Sequence, residues 1–197
     1  MLRVLVVCTG NICRSPMALG FLTDRSDRLL DGGLTVRSAG TWARAGSPPT
    51  PEAEEAAAER GVDISDHRSA PLSPDLVEWA DLVLAMTGEH REEILAAVPD
   101  AGGKTFTLKE LVALLGGLPP FDGSPSREAV LARIAEADDL RTTGGGPIPA
   151  DEDVADPIGM SEATYRAVAW ELEELIDALM AGLAGVRAQV AAREGEG

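Results

Sequence analysis

Two cysteines, two lysines and two histidines are all this 197-residue chain contains, and each scarcity excludes a class of protein. Cys8 and Cys13 leave no thiol elsewhere for a disulfide framework, a usage that fits a reducing cytoplasm. The histidines stand far apart with no ligand-spaced pattern around them, so no metal site is expected. Lys104 and Lys109 are the only lysines and the net charge is −16, so the basic footprint that nucleic acid demands is missing. No apolar run is long enough to span a bilayer, and the first strand begins without a basic leader. A cytoplasmic protein that avoids membranes is therefore expected. Its acidic surface repels acidic proteins at long range, although solubility alone accounts for such charge.

What is present is concentrated near the N-terminus. Val4-Leu5-Val6-Val7 reads as a buried strand and runs into Cys8-Thr9-Gly10-Asn11-Ile12-Cys13-Arg14-Ser15-Pro16. Gly10 and Asn11 tolerate left-handed angles, so the segment can curl and turn successive N–H groups inward. Pro16 suits a first helical turn, and the helix start adds partial positive charge. Arg14 offers a planar fork that matches phosphate oxygens. A thiol set there is expected to ionise, and a sulfur nucleophile in a phosphate cradle implies phosphoryl transfer through a thiophosphate. The plainer reading of Cys8 is a packed thiol before a helix.

Farther along, strands and helices alternate. Strands are expected at 2–7, 34–38, 81–86 and 104–107, with helices at 16–30, 51–60, 75–80, 89–98, 108–115 and 161–184. This order predicts an α/β fold: an open four-stranded parallel sheet flanked by helices on both faces, with its ligand site beyond the end of strand one. The chain reads as one domain with an insertion at about 116–150, where two Pro/Gly-rich stretches flank a helical patch at 126–140. That insertion reads as a flexible surface addition rather than a lid.

The string from Cys8 to Pro16 resembles the signature of the low-molecular-weight protein tyrosine phosphatases. The resemblance covers residues 2–115 and 154–180. It implies that Cys8 is the nucleophile, that Arg14 and the loop from Thr9 through Gly10, Asn11, Ile12 and Cys13 to Ser15 bind the phosphoryl group, and that no cofactor is needed. Asp156, in Asp153-Val154-Ala155-Asp156-Pro157-Ile158-Gly159, matches the general acid that precedes the last helix. Ser15 matches a hydroxyl that steadies the thiolate. Asn11 matches the residue that holds the loop's left-handed turn, with Ser38 and His67 in its supporting network. Trp42 falls where relatives carry a cleft-wall aromatic, with core packing as the competing reading. Cys13 matches a second cysteine able to bridge reversibly to the nucleophile.

The implied partner is a phosphorylated protein, and a monomer or weak dimer is expected. Arg37-Ser38-Ala39-Gly40 and 80–87 are similar to the bacterial protein arginine phosphatase branch, whose loop carries threonine where this chain has Ile12. Ile12 gives an apolar edge suited to an aromatic ring, so phosphotyrosine is the expected substrate and phosphoarginine the alternative. A non-catalytic phosphate-binding or redox-sensing module stays open, although such a module has no use for Asp156. Arsenate reductases of this fold relay electrons through further cysteines, and none follows Cys13 here.

Overall fold

The structure is a computed structural model that describes residues 1–26, 33–120, 125–147 and 149–186. Its sheet has four strands, β1 (Leu2–Cys8), β2 (Leu34–Gly40), β3 (Leu82–Ala85) and β4 (Thr105–Thr107), all parallel and ordered β2-β1-β3-β4. β1 is central and buried on both faces, which is why it reads as an unbroken apolar run. The chain leaves β1 towards β2 on one side and returns to β3 on the other. The end of β1 is therefore the point where strand order reverses, and parallel sheets open a crevice there.

Alternation along the strands divides the core into two layers. Val4, Val6, Leu82, Leu84 and Phe106 face α1 (Arg14–Asp24), α2 (Pro51–Ala58), α5 (Leu108–Gly117) and α7 (Glu162–Leu183). Leu5, Val7, Val83 and Ala85 face α3 (Pro74–Trp79) and α4 (Gly88–Ala97). Helices thus cover both faces, as the alternating pattern predicts.

Three expectations change. The first helix starts at Arg14, not Pro16, so Pro16 lies inside the first turn, where its missing N–H costs nothing. It ends at Asp24, and the expected extension falls partly on 27–32, outside the described residues. After α4, Pro99–Lys104 forms a 3₁₀ turn before β4 instead of a plain stop. The segment at 116–150 is not a loose surface addition. Its helix, α6 (Arg127–Thr143), buries Val130, Ile134 and Ala137 in the larger core layer. Gly144 closes that helix at φ +69°, and a Cβ on Gly146 would strike Leu114. Apolar residues spaced along α6 had a core face to fill, and that burial binds the segment to α5 and α7.

Candidate active site

β1 ends at Cys8, and the chain curls through Thr9–Cys13 into α1. Asn11 makes the turn at φ +55°, as the resemblance implies, and is the only described residue other than glycine with positive φ; Gly10, which could also have taken it, is not left-handed. Asn11 is fastened from every side. Its Nδ2 donates to Ser15 Oγ and Ser38 Oγ, both at 2.8 Å, and its Oδ1 accepts from Ala70 N–H at 2.8 Å. His67 Nε2 donates to the Asn11 carbonyl at 2.9 Å. Burial holds the His67 pKa below its ordinary value, so the ring is a neutral single donor. Behind the curl passes Gly40, where a Cβ would crowd the Thr9 carbonyl and lie 2.9 Å from Asn11 N. Both obstacles are backbone, so this close approach requires glycine.

The loop directs donors at the sulfur. Asn11 N–H donates to Cys8 Sγ at 3.3 Å, and Ser15 Oγ lies 3.0 Å from the same atom. Every other described α-helix has a Ser or Thr side chain accepting at its N-cap, whereas α1 has Cys13 there with no side-chain cap. Its first N–H groups are therefore left for a ligand, beside a positive helix end. Arg14 is buried. Its Nη1 donates to the Val154 carbonyl at 3.1 Å, and its Nη2 donates to Asp156 Oδ2 at 2.8 Å and Thr9 Oγ1 at 3.3 Å. Arg14 Nε is the one buried side-chain donor among the described residues with no partner. A buried N–H left over beside a cleft is a place for a ligand oxygen.

Asp156 reaches this point because its loop is stitched across the sheet end. Val154 N–H donates to the Met86 carbonyl at 2.8 Å, Asp153 Oδ1 accepts from Gly88 N–H at 2.8 Å, and Lys109 Nζ donates to the Asp153 carbonyl at 2.6 Å. Asp156 stays 42% exposed while paired with Arg14. Residues 142 positions apart in sequence thus share one cleft of about 160 Å³, lined by Cys8, Thr9, Gly10, Ile12, Cys13, Arg14, Asp156 and Ile158. A nucleophile, an anion cradle and a proton donor in one small crevice can transfer a phosphoryl group.

Some expected site residues lie elsewhere. The side chains of Asn11 and Ser15 are buried behind the loop and do not line the cleft, because each is spent on the supporting network. Trp42 is 81% exposed, which rules out core packing, and its ring is not part of the cleft wall. Its backbone meets the loop, the N–H donating to the Thr9 carbonyl at 2.9 Å. Cys13 Sγ faces Thr50 Oγ1 at 3.6 Å and Tyr165 Oη at 3.8 Å, both cysteines are free thiols, and burial pushes the Cys13 pKa up. One neighbour was missed from sequence: buried His90, whose Nε2 lies 2.9 Å from Thr9 Oγ1. Its signal is the Thr87-Gly88-Glu89-His90 start of α4, where the third helical residue can turn back on its own cap. No group of three or more His, Cys, Asp or Glu among the described residues could hold a metal ion, and no described helix is long and apolar enough to cross a membrane.

A family model described as low molecular weight phosphotyrosine protein phosphatase matches residues 3–138. A protein-arginine-phosphatase of Geobacillus stearothermophilus is 36% identical over 90% of this chain and 93% of its own. A probable low molecular weight protein-tyrosine-phosphatase, EpsP of Ralstonia solanacearum, is 46% identical over 55% of this chain and 71% of its own. Among solved structures, the Geobacillus stearothermophilus arginine phosphatase YwlE superposes with a TM-score of 0.68 at 36% identity, covering 93% of each chain. A low molecular weight protein tyrosine phosphatase from T. tengcongensis gives 0.67 at 36% identity, covering 91% of this chain and 98% of that one.

Proposed function

The chain belongs to the low molecular weight phosphotyrosine protein phosphatase family, and on that premise we propose that it hydrolyses phosphotyrosine in proteins. It is a cysteine-dependent protein phosphatase. Cys8 Sγ attacks phosphorus while the bond to the tyrosine oxygen breaks, and Asp156 gives its proton to that oxygen. Arg14, through Nε and Nη2, and the loop N–H groups hold the equatorial oxygens. Water then attacks the thiophosphate, Asp156 takes its proton back, and phosphate and thiolate are released. This route calls for no cofactor. The paucity of cysteines supports a reducing, cytoplasmic setting.

The observation that carries tyrosine is the pair Ile12 and Ile158 in the cleft wall. An aromatic ring gains by burial against them, whereas a guanidinium would turn N–H groups towards isoleucine, at about 1–3 kcal/mol for each left unpaired. One observation favours the second reading, protein arginine phosphatase. The arginine phosphatase relative aligns over nine-tenths of this chain, while EpsP aligns over little more than half.

Phosphate release from matched phosphotyrosine and phosphoarginine peptides tests the choice, with Cys8→Ser as blank. The expected result is a higher kcat/KM on phosphotyrosine, with Ile12→Thr narrowing the gap. Faster arginine turnover by the native chain establishes the second reading instead.

A further inference from the structure

His90 is buried at the start of α4 and makes no contact that its helix requires of its ring. The cap of α4 needs only the His90 backbone N–H, which donates to Thr87 Oγ1 at 3.2 Å. The ring is held separately at both nitrogens, Nδ1 at 2.7 Å from Thr87 Oγ1 and Nε2 at 2.9 Å from Thr9 Oγ1. Thr9 Oγ1 in turn accepts from Arg14 Nη2 at 3.3 Å. A chain of contacts thus runs from the C-terminal end of β3 through Thr87, His90 and Thr9 to the guanidinium.

We infer that His90 is a positioning residue that locks the Thr9 hydroxyl and, through it, aims Arg14 at the phosphoryl group. This rests on the phosphatase reading above. Of the three hydrogen bonds the guanidinium makes, the one with Asp156 must open for catalysis, and the unpartnered Nε is left for the substrate. The protein-side anchors that remain are the Val154 carbonyl at Nη1 and Thr9 Oγ1 at Nη2. The carbonyl belongs to the Asp156 loop itself. Thr9 is a rotor with three staggered wells on an irregular loop, and one well presents oxygen to Arg14. His90 selects that well because its own ring cannot turn without losing Thr87. Burial, and then the Arg14 charge, depress the His90 pKa, so the neutral ring has one donor and one acceptor. Either tautomer holds the hydroxyl: Nε2–H donates to Thr9, or Thr9 donates to Nε2 while Nδ1–H donates to Thr87. Aim matters because small displacements of a catalytic group carry large rate penalties.

The test measures kcat, KM and the dissociation constant for orthovanadate by titration calorimetry in native protein, His90→Phe, His90→Gln, Thr9→Val and the Thr9→Val/His90→Phe double variant. Phe fills the ring's space without nitrogens. Gln can return an N–H donor to Thr9. His90→Phe is expected to lower kcat and weaken vanadate on the order of 10- to 100-fold with KM little changed. Gln should recover most of that loss, and the double variant should be no worse than Thr9→Val alone. A merely structural His90 predicts a lower melting temperature and fewer binding sites with native affinity at each. That outcome, or penalties that multiply in the double variant, overturns the assignment. Should His90→Phe fail to fold, Gln against Thr9→Val carries the same comparison. Vanadate affinity needs no turnover, so a native chain that binds vanadate through His90 yet releases no phosphate sinks the phosphatase reading and leaves this one standing.

Discussion

In the proposed mechanism the 2.8 Å contact between Asp156 and Arg14 has to open before either side chain can do its chemistry. Two results follow for Asp156→Ala. With no acid for the leaving oxygen, kcat should fall roughly 10²- to 10⁴-fold on a phosphotyrosine peptide. Orthovanadate should bind at least as tightly as to the native protein, because Arg14 no longer has to leave a carboxylate. Weaker vanadate binding would instead make Asp156 an anchor for Arg14. At this scale the sequence was legible where chemistry is local. Cys8, Arg14 and Ile12 sit in one contiguous loop, so reading them needed no tertiary information. It was less legible where one position had to be singled out among permissive neighbours. Gly10 and Asn11 both tolerate a left-handed turn; residue chemistry alone leaves the choice open, the resemblance points to Asn11, and the surrounding donors and acceptors are what select it. His90 escaped because its partner Thr9 lies 81 residues away.

Between elements, Asp81 ties three pieces together. It precedes β3, accepts from Arg3 N–H of β1 at 3.0 Å, pairs with the Arg3 side chain at 2.8 Å, and meets Arg127 of α6 at 3.0 Å. Its carboxyl is nearly buried, and although burial opposes ionisation, the bonds from Arg3 and Arg127 outweigh it and hold the pKa at about 2. An Asp in the unfolded chain titrates near 3.9. The folded value is the lower one, so the stabilisation is fully present above about pH 4 and fades as pH falls towards 2. Both arginines are partly exposed, which reduces the effect to on the order of 1–2 kcal/mol. Urea unfolding of native and Asp81→Asn protein should differ by that amount at pH 7, by about half of it at pH 3, and converge as pH falls to about 2. A gap undiminished at pH 2 would mean shape, not charge, is what Asp81 supplies. That α6 takes part in this tie was hidden in sequence. The helical patch at 126–140 was expected, but its Pro- and Gly-rich flanks marked it as a surface addition, and its apolar residues find a core face only once α5 and α7 are in place. The parallel order of the sheet was readable because strand and helix patterns alternate so plainly.

For the whole molecule the dominant quantity is the net charge of −16, spread over 33 acidic residues against 17 basic ones. The cleft itself is the opposite case, with buried Arg14 and the uncapped end of α1 facing a dianion. A substrate chain therefore meets repulsion along its approach and attraction only at the mouth. Residues beside the phosphotyrosine lie outside the cleft, where the surface field acts on them without burial. A phosphotyrosine peptide flanked by lysines should then show a higher kcat/KM than one flanked by glutamates. The difference should reside in KM, since proton transfer and attack at phosphorus do not involve the flanks. Raising ionic strength from about 0.01 M to about 1 M shortens the screening length from about 30 Å to about 3 Å, so the two peptides should converge. A preference that survives high salt would place a specific acidic contact next to the cleft, and equal rates at low salt would leave the charge to solubility alone.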